Sequence, residues 1–459
     1  MVRKFPGEGR WAAATVMLIA VACALVLSTY DDYGVAFDEY ALARYGDAVR
    51  KYFLSLGSDR SFLQEDNLVL YGALISLGGS FARTHLPLSG EFEALHLYGG
   101  LIGVLGILCA GLLAWEAFGD RRAMFFAALT LCLTCRYSGE SFNNLKDVPF
   151  AAAYGWALAA LIRFMKTLPR PPWKDVLHLA AASGVLLSIR VGGMVVWLYL
   201  LLGICACLVL HKVRLNSSEI AVLLLKAALV CAGSYLLMVL FWPWAHASPL
   251  GRPLAMLLES GHFRWNGKVL FWGERIFAVD VPWSYALTWL LIGTPVLFLL
   301  LIFVSLIRFI HAAIRLRTAP SAFTPATVLL HFAWLFPLIW ASVSAAVLYD
   351  GFRHLLFVYM PLAALAGREI SVLFERFGTK RTAMRVLVIL LSIFYLRIAA
   401  YAWRLYPYQY VYFNDLIGGL AGAHGRFETE YWGTSFKEAV LWLAKEQADK
   451  RYRAASSQH

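Results

Sequence analysis

The chain alternates long apolar runs with short polar connections from one end to the other. A helix needs roughly 20 mostly apolar residues to cross a hydrocarbon core, and runs of that kind lie near 11–29, 92–118, 122–137, 149–166, 177–191, 193–211, 219–241, 285–307, 324–347, 354–374 and 385–403. Unpaired backbone groups cannot face lipid, so these runs are helices. The pattern predicts an all-α fold: a polytopic transmembrane helical bundle of about eleven spans. Residues 1–403 form the membrane domain, and 404–459 form an external tail with a short amphipathic helix.

The connections are of two kinds. Those on one side carry Arg121 and Arg122, then Lys166, Arg170 and Lys174, then Lys212 and Arg214, then Arg308, Arg315 and Arg317, and last Lys380, Arg381 and Arg385. With the basic N-terminus, Arg3, Lys4 and Arg10, they mark the cytoplasmic face of an inner (plasma) membrane, so the N-terminus is expected inside and the C-terminus outside. The other side gathers nearly all the acidic, amide and turn residues. It comprises a long first loop over 30–91, the segment 136–148, a Trp-rich loop over 242–284, the turn 349–354 and the tail. Polar residues concentrated on one face mark it as the working face. Within the first loop, Ala41, Tyr45, Ala48, Val49 and Tyr52 recur at helical spacing against Arg44, Asp47, Arg50 and Lys51, which predicts a helix lying along the membrane surface. The segment Leu68 to Phe81 is apolar but short and holds Gly72, Gly78 and Gly79, as suits an interfacial or re-entrant helix.

Composition narrows the classes further. A chain of 459 residues with 60% hydrophobic and 15% charged residues and a mean hydropathy of +0.63 has lipid as its main solvent. The net charge of +12 does not imply nucleic acid, because the basic residues sit in short loops and form no groove or arm. All seven cysteines fall in or beside apolar runs, and the one CxxC, Cys132 and Cys135, has no second pair, so they read as reduced packing residues. The first apolar run is longer than a signal-peptide core and no A-x-A site closes it, which predicts a retained span.

Four polar constellations interrupt the pattern. Asp38 and Glu39 follow the first span at the head of the surface helix, where Asp38 suits an N-cap and Glu39 the first turn, the ordinary use of such a pair; a carboxylate there is also the group needed to take a proton from an acceptor hydroxyl. The segment 141–150 packs Asn143, Asn144, Lys146 and Asp147 between two spans, with Asp147 a possible cap for the helix that Pro149 opens. Lys146 among amides and a carboxylate suits a phosphate or carboxylate partner. The turn Tyr349-Asp350-Gly351-Phe352-Arg353-His354 can be a plain Asp-Gly turn, yet Arg353 offers the planar fork that binds two phosphate oxygens. Arg190 is a lone cation between apolar runs, and an intramembrane charge is functional by default.

These segments, in this order and topology, resemble the C-type membrane glycosyltransferases, and within them bacterial relatives of the protein O-mannosyltransferase and aminoarabinose transferase families. The resemblance covers essentially the whole chain, departs in lacking a large external sugar-binding domain, and ends in an unusual tail with Glu430 and Trp432. It implies a polyprenyl-phosphate-linked sugar donor, membrane lipids as partners and inversion at the anomeric carbon, with Asp38 as base and Glu39 beside it. The leaving phosphate falls to Lys146, Arg190, Arg353 and His354, with Asn143, Asn144, Asp147, Tyr349, Asp350, Glu430 and Trp432 in support or on the acceptor side. A phosphate leaves without a general acid, so one base suffices where hydrolases need a carboxylate pair. No cofactor is expected, and a divalent cation at the acidic loop stays open. A transporter or flippase of lipid-linked sugars is the alternative, although transporters usually place their polar residues at the midplane.

Overall fold

The computed structural model describes residues 8–88, 90–259, 265–315, 323–344 and 346–456. Arg3, Lys4 and Arg317, counted above among the basic residues, lie outside them.

The chain opens with α1 (Glu8–Thr29), the surface helix α2 (Glu39–Leu54) and α3 (Leu74–His85). The bundle continues through α4 (Glu93–Phe118), α5 (Arg121–Cys132), α6 (Cys135–Glu140), α7 (Asp147–Lys166), α8 (Trp173–Leu187), α9 (Val195–Leu210) and α10 (Ser217–Leu240). After α11 (Gly251–Glu259) a two-stranded hairpin, β1 (Lys268–Phe271) and β2 (Glu274–Phe277), interrupts the helices. Then follow α12 (Tyr285–Gly293), α13 (Val296–Ile314), α14 (Pro325–Val343), α15 (Tyr359–Phe377) and α16 (Arg381–Leu405), with α17 (Gly419–Ala423) and α18 (Phe436–Ser456) in the tail.

Among the described residues, nine helices are long and apolar enough to cross a membrane. Nine of the eleven predicted runs overlap most of one; the other two are shorter. The run 122–137 breaks at Leu133 and Thr134 into the 12-residue α5 and the 6-residue α6. The run 177–191 is the 15-residue α8, which ends at Leu187 so that the backbone can turn under Arg190. A further predicted run, 285–307, is divided by Pro295 into α12 and α13, since proline cannot continue a helix that precedes it. The 12-residue α3 rises only about 18 Å at 1.5 Å per residue, too short to span.

The two ends of the bundle differ as the loops predict. At one end, basic residues of the short connections pair with carboxylates: Lys166 with Glu116 at 2.7 Å, Arg163 with Asp175 at 2.9 Å and Arg170 with Glu219 at 2.7 Å. The other end carries α2, α3, the hairpin and the tail. There α2 buries Tyr45 and Val49 against Phe62 and Ala73. Burying a side chain of that size is worth about 1.5–3 kcal/mol, so packing and not the helix cap seats α2. The Ala73 amide then donates to the Phe241 carbonyl at 2.9 Å, tying the first loop to the end of α10.

Candidate active site

Asp38 occupies the N-cap position of α2, but its side chain caps nothing. Its Oδ2 instead accepts from Lys146 Nζ at 2.6 Å and lies 3.5 Å from an Arg353 nitrogen. The capping role that the sequence offered for Asp38 is therefore not the one the side chain plays. Burial opposes its ionisation, yet the Lys146 ammonium and the Arg353 guanidinium outweigh that and hold the carboxyl below its usual range.

Glu39, its neighbour, goes elsewhere. Successive residues on a helix point about 100° apart, and Glu39 turns wholly inward, accepting from the Ala36 amide at 3.2 Å and meeting His96 Nε2 of α4 at 3.1 Å. His96 in turn contacts the Tyr30 carbonyl through Nδ1 at 3.2 Å. Glu39 thus fastens the start of α2 to α4 and stands apart from the Asp38 cluster.

The segment before α7 is a hydrogen-bonded knot. Asn144 Oδ1 accepts from the amides of Lys146 and Asp147 at 3.2 and 2.8 Å; Lys146 is the N-cap and Asp147 the first helical residue, so the capping role expected of Asp147 is not the one it plays. Asn144 Nδ2 donates to Asp147 Oδ2 at 2.8 Å and to Glu140. Asp147, 2% exposed, pairs through Oδ1 with Arg190 at 2.6 Å. Asn143 Nδ2 reaches the Gly34 carbonyl at 3.4 Å, which joins this segment to the first loop.

The third segment closes over these two. Asp350 and Gly351 both adopt positive φ, 55° and 73°, which bends the chain sharply enough to aim Asp350 and Arg353 at one point. Arg353 pairs with Asp350 at 3.0 Å and lies between the rings of Tyr349 and Trp432, 4.7 and 4.8 Å from their centroids. Burial pushes the Asp350 carboxyl up to about 6 despite Arg353.

Beside this cluster opens a cavity of about 280 Å³ whose walls include Leu70, Val191, Val195, Leu348 and Phe357, and whose polar groups are Tyr71, Tyr349, Arg190 and His354. Arg190 lies 5.5 Å from the Tyr71 ring, and Lys146 lies 5.8 Å from the same ring on the Asp38 side. His354 Nδ1 and Arg190 Nε are buried without a protein partner. The arrangement offers an apolar slot that ends in a guanidinium and an imidazole, each with a nitrogen that has no hydrogen-bond partner, near the Asp38 carboxylate. Among the described residues no three His, Cys, Asp or Glu side chains are grouped as metal ligands.

Sequence reasoning missed three members of this neighbourhood. Glu140, pushed up to about 7 by burial and by Asp147, accepts from the Tyr431 hydroxyl at 2.7 Å. Glu428, also pushed up to about 7 by burial first, sits against the backbone of Asp350 and Leu270. Arg136 is fully buried between Trp289 and Phe413, and none of its three guanidinium nitrogens has a protein partner. No local pattern distinguishes these residues, because each is placed by the tail or the 350 turn folding onto α6 and α12. Glu430 is outside the cation cluster: it accepts from the Tyr410 hydroxyl at 2.5 Å and the Gly433 amide at 2.6 Å, shaping the turn that presents Trp432. The Trp432 carbonyl accepts from the Phe37 amide at 3.0 Å, so the tail is joined directly to the Asp38 loop.

No family model matches the chain, and no curated protein matches it. Solved structures do. ArnT from Cupriavidus metallidurans bound to undecaprenyl phosphate is 18% identical over 81% of this chain and 63% of that one, with a TM-score of 0.52. The same protein in the apo state is 20% identical over 78% of this chain and 59% of that one, with a TM-score of 0.50. The apo oligosaccharyltransferase of Archaeoglobus fulgidus is 14% identical over 95% of this chain and 59% of that one, with a TM-score of 0.56. The chain spans 59 to 63% of the length of these proteins. It therefore has the membrane fold shared by ArnT and oligosaccharyltransferase, that of the C-type glycosyltransferases its sequence resembles.

Proposed function

We propose that the chain transfers a sugar from a polyprenyl-phosphate donor to a hydroxyl or amide acceptor on a lipid, glycan or protein, at the external face of the plasma membrane. The observation that carries this reading is the apolar cavity ending in Arg190 and His354 beside an ionised Asp38. The isoprenoid chain lies in the cavity, and the phosphate takes the free donors of Arg190 and His354. ArnT was solved with undecaprenyl phosphate bound, which supports a carrier of that class.

Asp38 is held by Lys146 and Arg353 without a ligand. An arriving phosphate competes for both cations, and as they swing toward it the carboxylate loses their stabilisation and becomes a stronger base. Asp38 then takes the acceptor proton while the acceptor oxygen or nitrogen attacks the anomeric carbon. The bond from that carbon to the phosphate oxygen breaks, its electron pair leaves with the phosphate, and configuration inverts. Cations gathered at the leaving oxygen stabilise charge where it develops. Asn143, Asn144, Asp147, Tyr349 and Asp350 hold these groups in place, and Trp432 holds Arg353 from above.

The test is transfer of label from a polyprenyl-phosphate sugar to membrane-extract acceptors by purified protein in lipid nanodiscs. Transfer by the parent and its loss in Asp38→Asn support the reading. A parent that neither binds nor consumes the donor refutes it.

A further inference from the structure

We propose that the start of α13, the last turns of α16 and the tail turn 412–415 form a site for one anionic phospholipid, whose phosphate lies between Arg397 and Arg404. The proposal goes beyond the transferase reading and does not depend on it.

Position along α16 sets the level of the site. At 1.5 Å per residue, Arg397 lies about 24 Å and Arg404 about 35 Å from Arg381, which opens the helix. A hydrocarbon core is about 30 Å thick, so the two arginines bracket its far edge, at the end of the bundle that carries the candidate active site. Ile389, Ile393 and Leu396 are exposed up to that level. The exposed Trp403 ring marks the level itself, since tryptophan collects where hydrocarbon meets head groups. Exposed apolar side chains on a helix apolar enough to span face lipid, so what enters a pocket on that face comes from the membrane.

The pocket holds about 280 Å³. Phe394 and Ile398 form its apolar part, and Arg397, Arg404, Tyr412 and Asp415 its polar part. The tail wall is fixed by contacts of its own. Asn414 Nδ2 donates to the carbonyls of Leu291 and Thr294 at 2.6 and 2.7 Å, and Phe413 packs on Trp289 with ring centroids 5.6 Å apart. An apolar wall that runs into a polar mouth at the hydrocarbon edge fits an acyl chain joined to a charged head.

Charge names the head. Arg397 and Arg404 are two turns apart and share a face of α16. About 10 Å separates them along the axis, a gap that two arginine side chains can close on one phosphate. Arg397 pairs with Asp415 at 2.7 Å through one guanidinium nitrogen, both groups being exposed, and a pair of that kind is weak. Arg404 has no carboxylate partner among the described residues, and the Tyr412 hydroxyl has no protein partner there either. The site therefore carries two cations to one carboxylate, an excess of one positive charge. That matches a phosphodiester head without an amine, and the planar guanidinium forks suit its oxygens. A zwitterionic lipid would bring its ammonium group to the same arginines. The helix dipole alone accounts for Arg404 in the last turn, but its effect fades within that turn and leaves Arg397 unexplained.

The experiment uses the full chain in phosphatidylcholine nanodiscs that contain a phosphatidylglycerol with a diazirine in one acyl chain. Irradiation should label α13, α16 or the 412–415 turn. Unlabelled phosphatidylglycerol should compete, and neither added phosphatidylcholine nor inorganic phosphate should. Arg397→Gln/Arg404→Gln should cut labelling there about fivefold or more and leave labelling elsewhere on the chain unchanged. Asp415→Asn removes the competing carboxylate and should raise labelling about twofold; it decides the matter alone if the double variant does not fold. Labelling that survives the arginine substitutions, that fails to rise in Asp415→Asn, or that phosphatidylcholine removes equally well overturns the proposal and marks the pocket as holding bulk lipid. Displacement by inorganic phosphate overturns the lipid as its occupant.

Discussion

Asp38→Asn separates chemistry from structure with one atom. The Asp38 side chain makes no cap bond to α2, so the amide forfeits none. What it does forfeit is the ionic part of the contact with Lys146, whose side chain is 16% exposed against 37% for Asp38. Partly exposed pairs of this kind contribute at most about 1 kcal/mol, and the Asn oxygen still accepts from Lys146. The expected loss of stability is therefore small, a shift of a few degrees at most in Tm. An amide cannot accept the acceptor's proton, and loss of a general base typically costs about 10²- to 10⁴-fold in rate. At 1.36 kcal/mol per decade that is about 2.7–5.4 kcal/mol of barrier, several times the structural term. Single-turnover transfer with saturating donor, measured beside donor affinity and a melting curve, reads both quantities in one preparation. A variant that melts with the parent, binds donor and transfers within threefold of the parent rate would remove Asp38 from the base role.

Four further outcomes are expected. Arg190→Met leaves the buried Asp147 carboxylate without its 2.6 Å partner, and orphaning one member of a buried pair costs about 3–5 kcal/mol; the double variant with Asp147→Asn should melt higher than Arg190→Met alone, and an unchanged melting curve for Arg190→Met would show the pair to be dispensable. Arg353→Lys keeps the charge but loses the fork and the stacking between Tyr349 and Trp432, so affinity for polyprenyl phosphate should fall roughly tenfold or more, and equal affinity in titrations would contradict this. Glu140 and Glu428, raised from the ordinary 4.5 to about 7, bind protons in the folded protein at pH values where the unfolded chain has released them; stability should fall as pH rises from about 4.5 to about 7, with Glu428→Gln flattening the slope of Tm against pH, and a rise over that window would reverse the sign. A reporter fused after His459 should be active only outside the cell, and cytoplasmic activity there would invert the proposed orientation.

Hydropathy alone was enough for the long helices, because the length of a span is set by the thickness of the hydrocarbon. It was not enough for α5 and α8, whose ends are decided by what the chain must do next: turn toward α7 in one case, present Arg190 in the other. The segments 141–150 and 349–354 stood out because polar residues between apolar spans have few structural reasons to be there, and the structure does bring Lys146, Arg190, Arg353 and His354 around one place. The acidic pair was only half legible. Adjacent letters suggested a shared role, whereas helical geometry sends Asp38 to the cluster and Glu39 to His96. Glu140 was illegible for a different reason: its partner Tyr431 is 291 residues away, and no local period encodes such a contact.

The Trp432 ring on Arg353 and its carbonyl on the Phe37 amide have a consequence for biogenesis. Every span from α1 to α16 can enter the bilayer before residues 426–434 have left the ribosome. Until that stretch threads back, with Phe427 bridging to Phe271 on the hairpin, Arg353 lacks one of its two flanking rings and Glu140 lacks Tyr431. A half-made chain would thus hold its helices without the finished cluster around Arg353 and Glu140, and translation itself would set when that cluster closes.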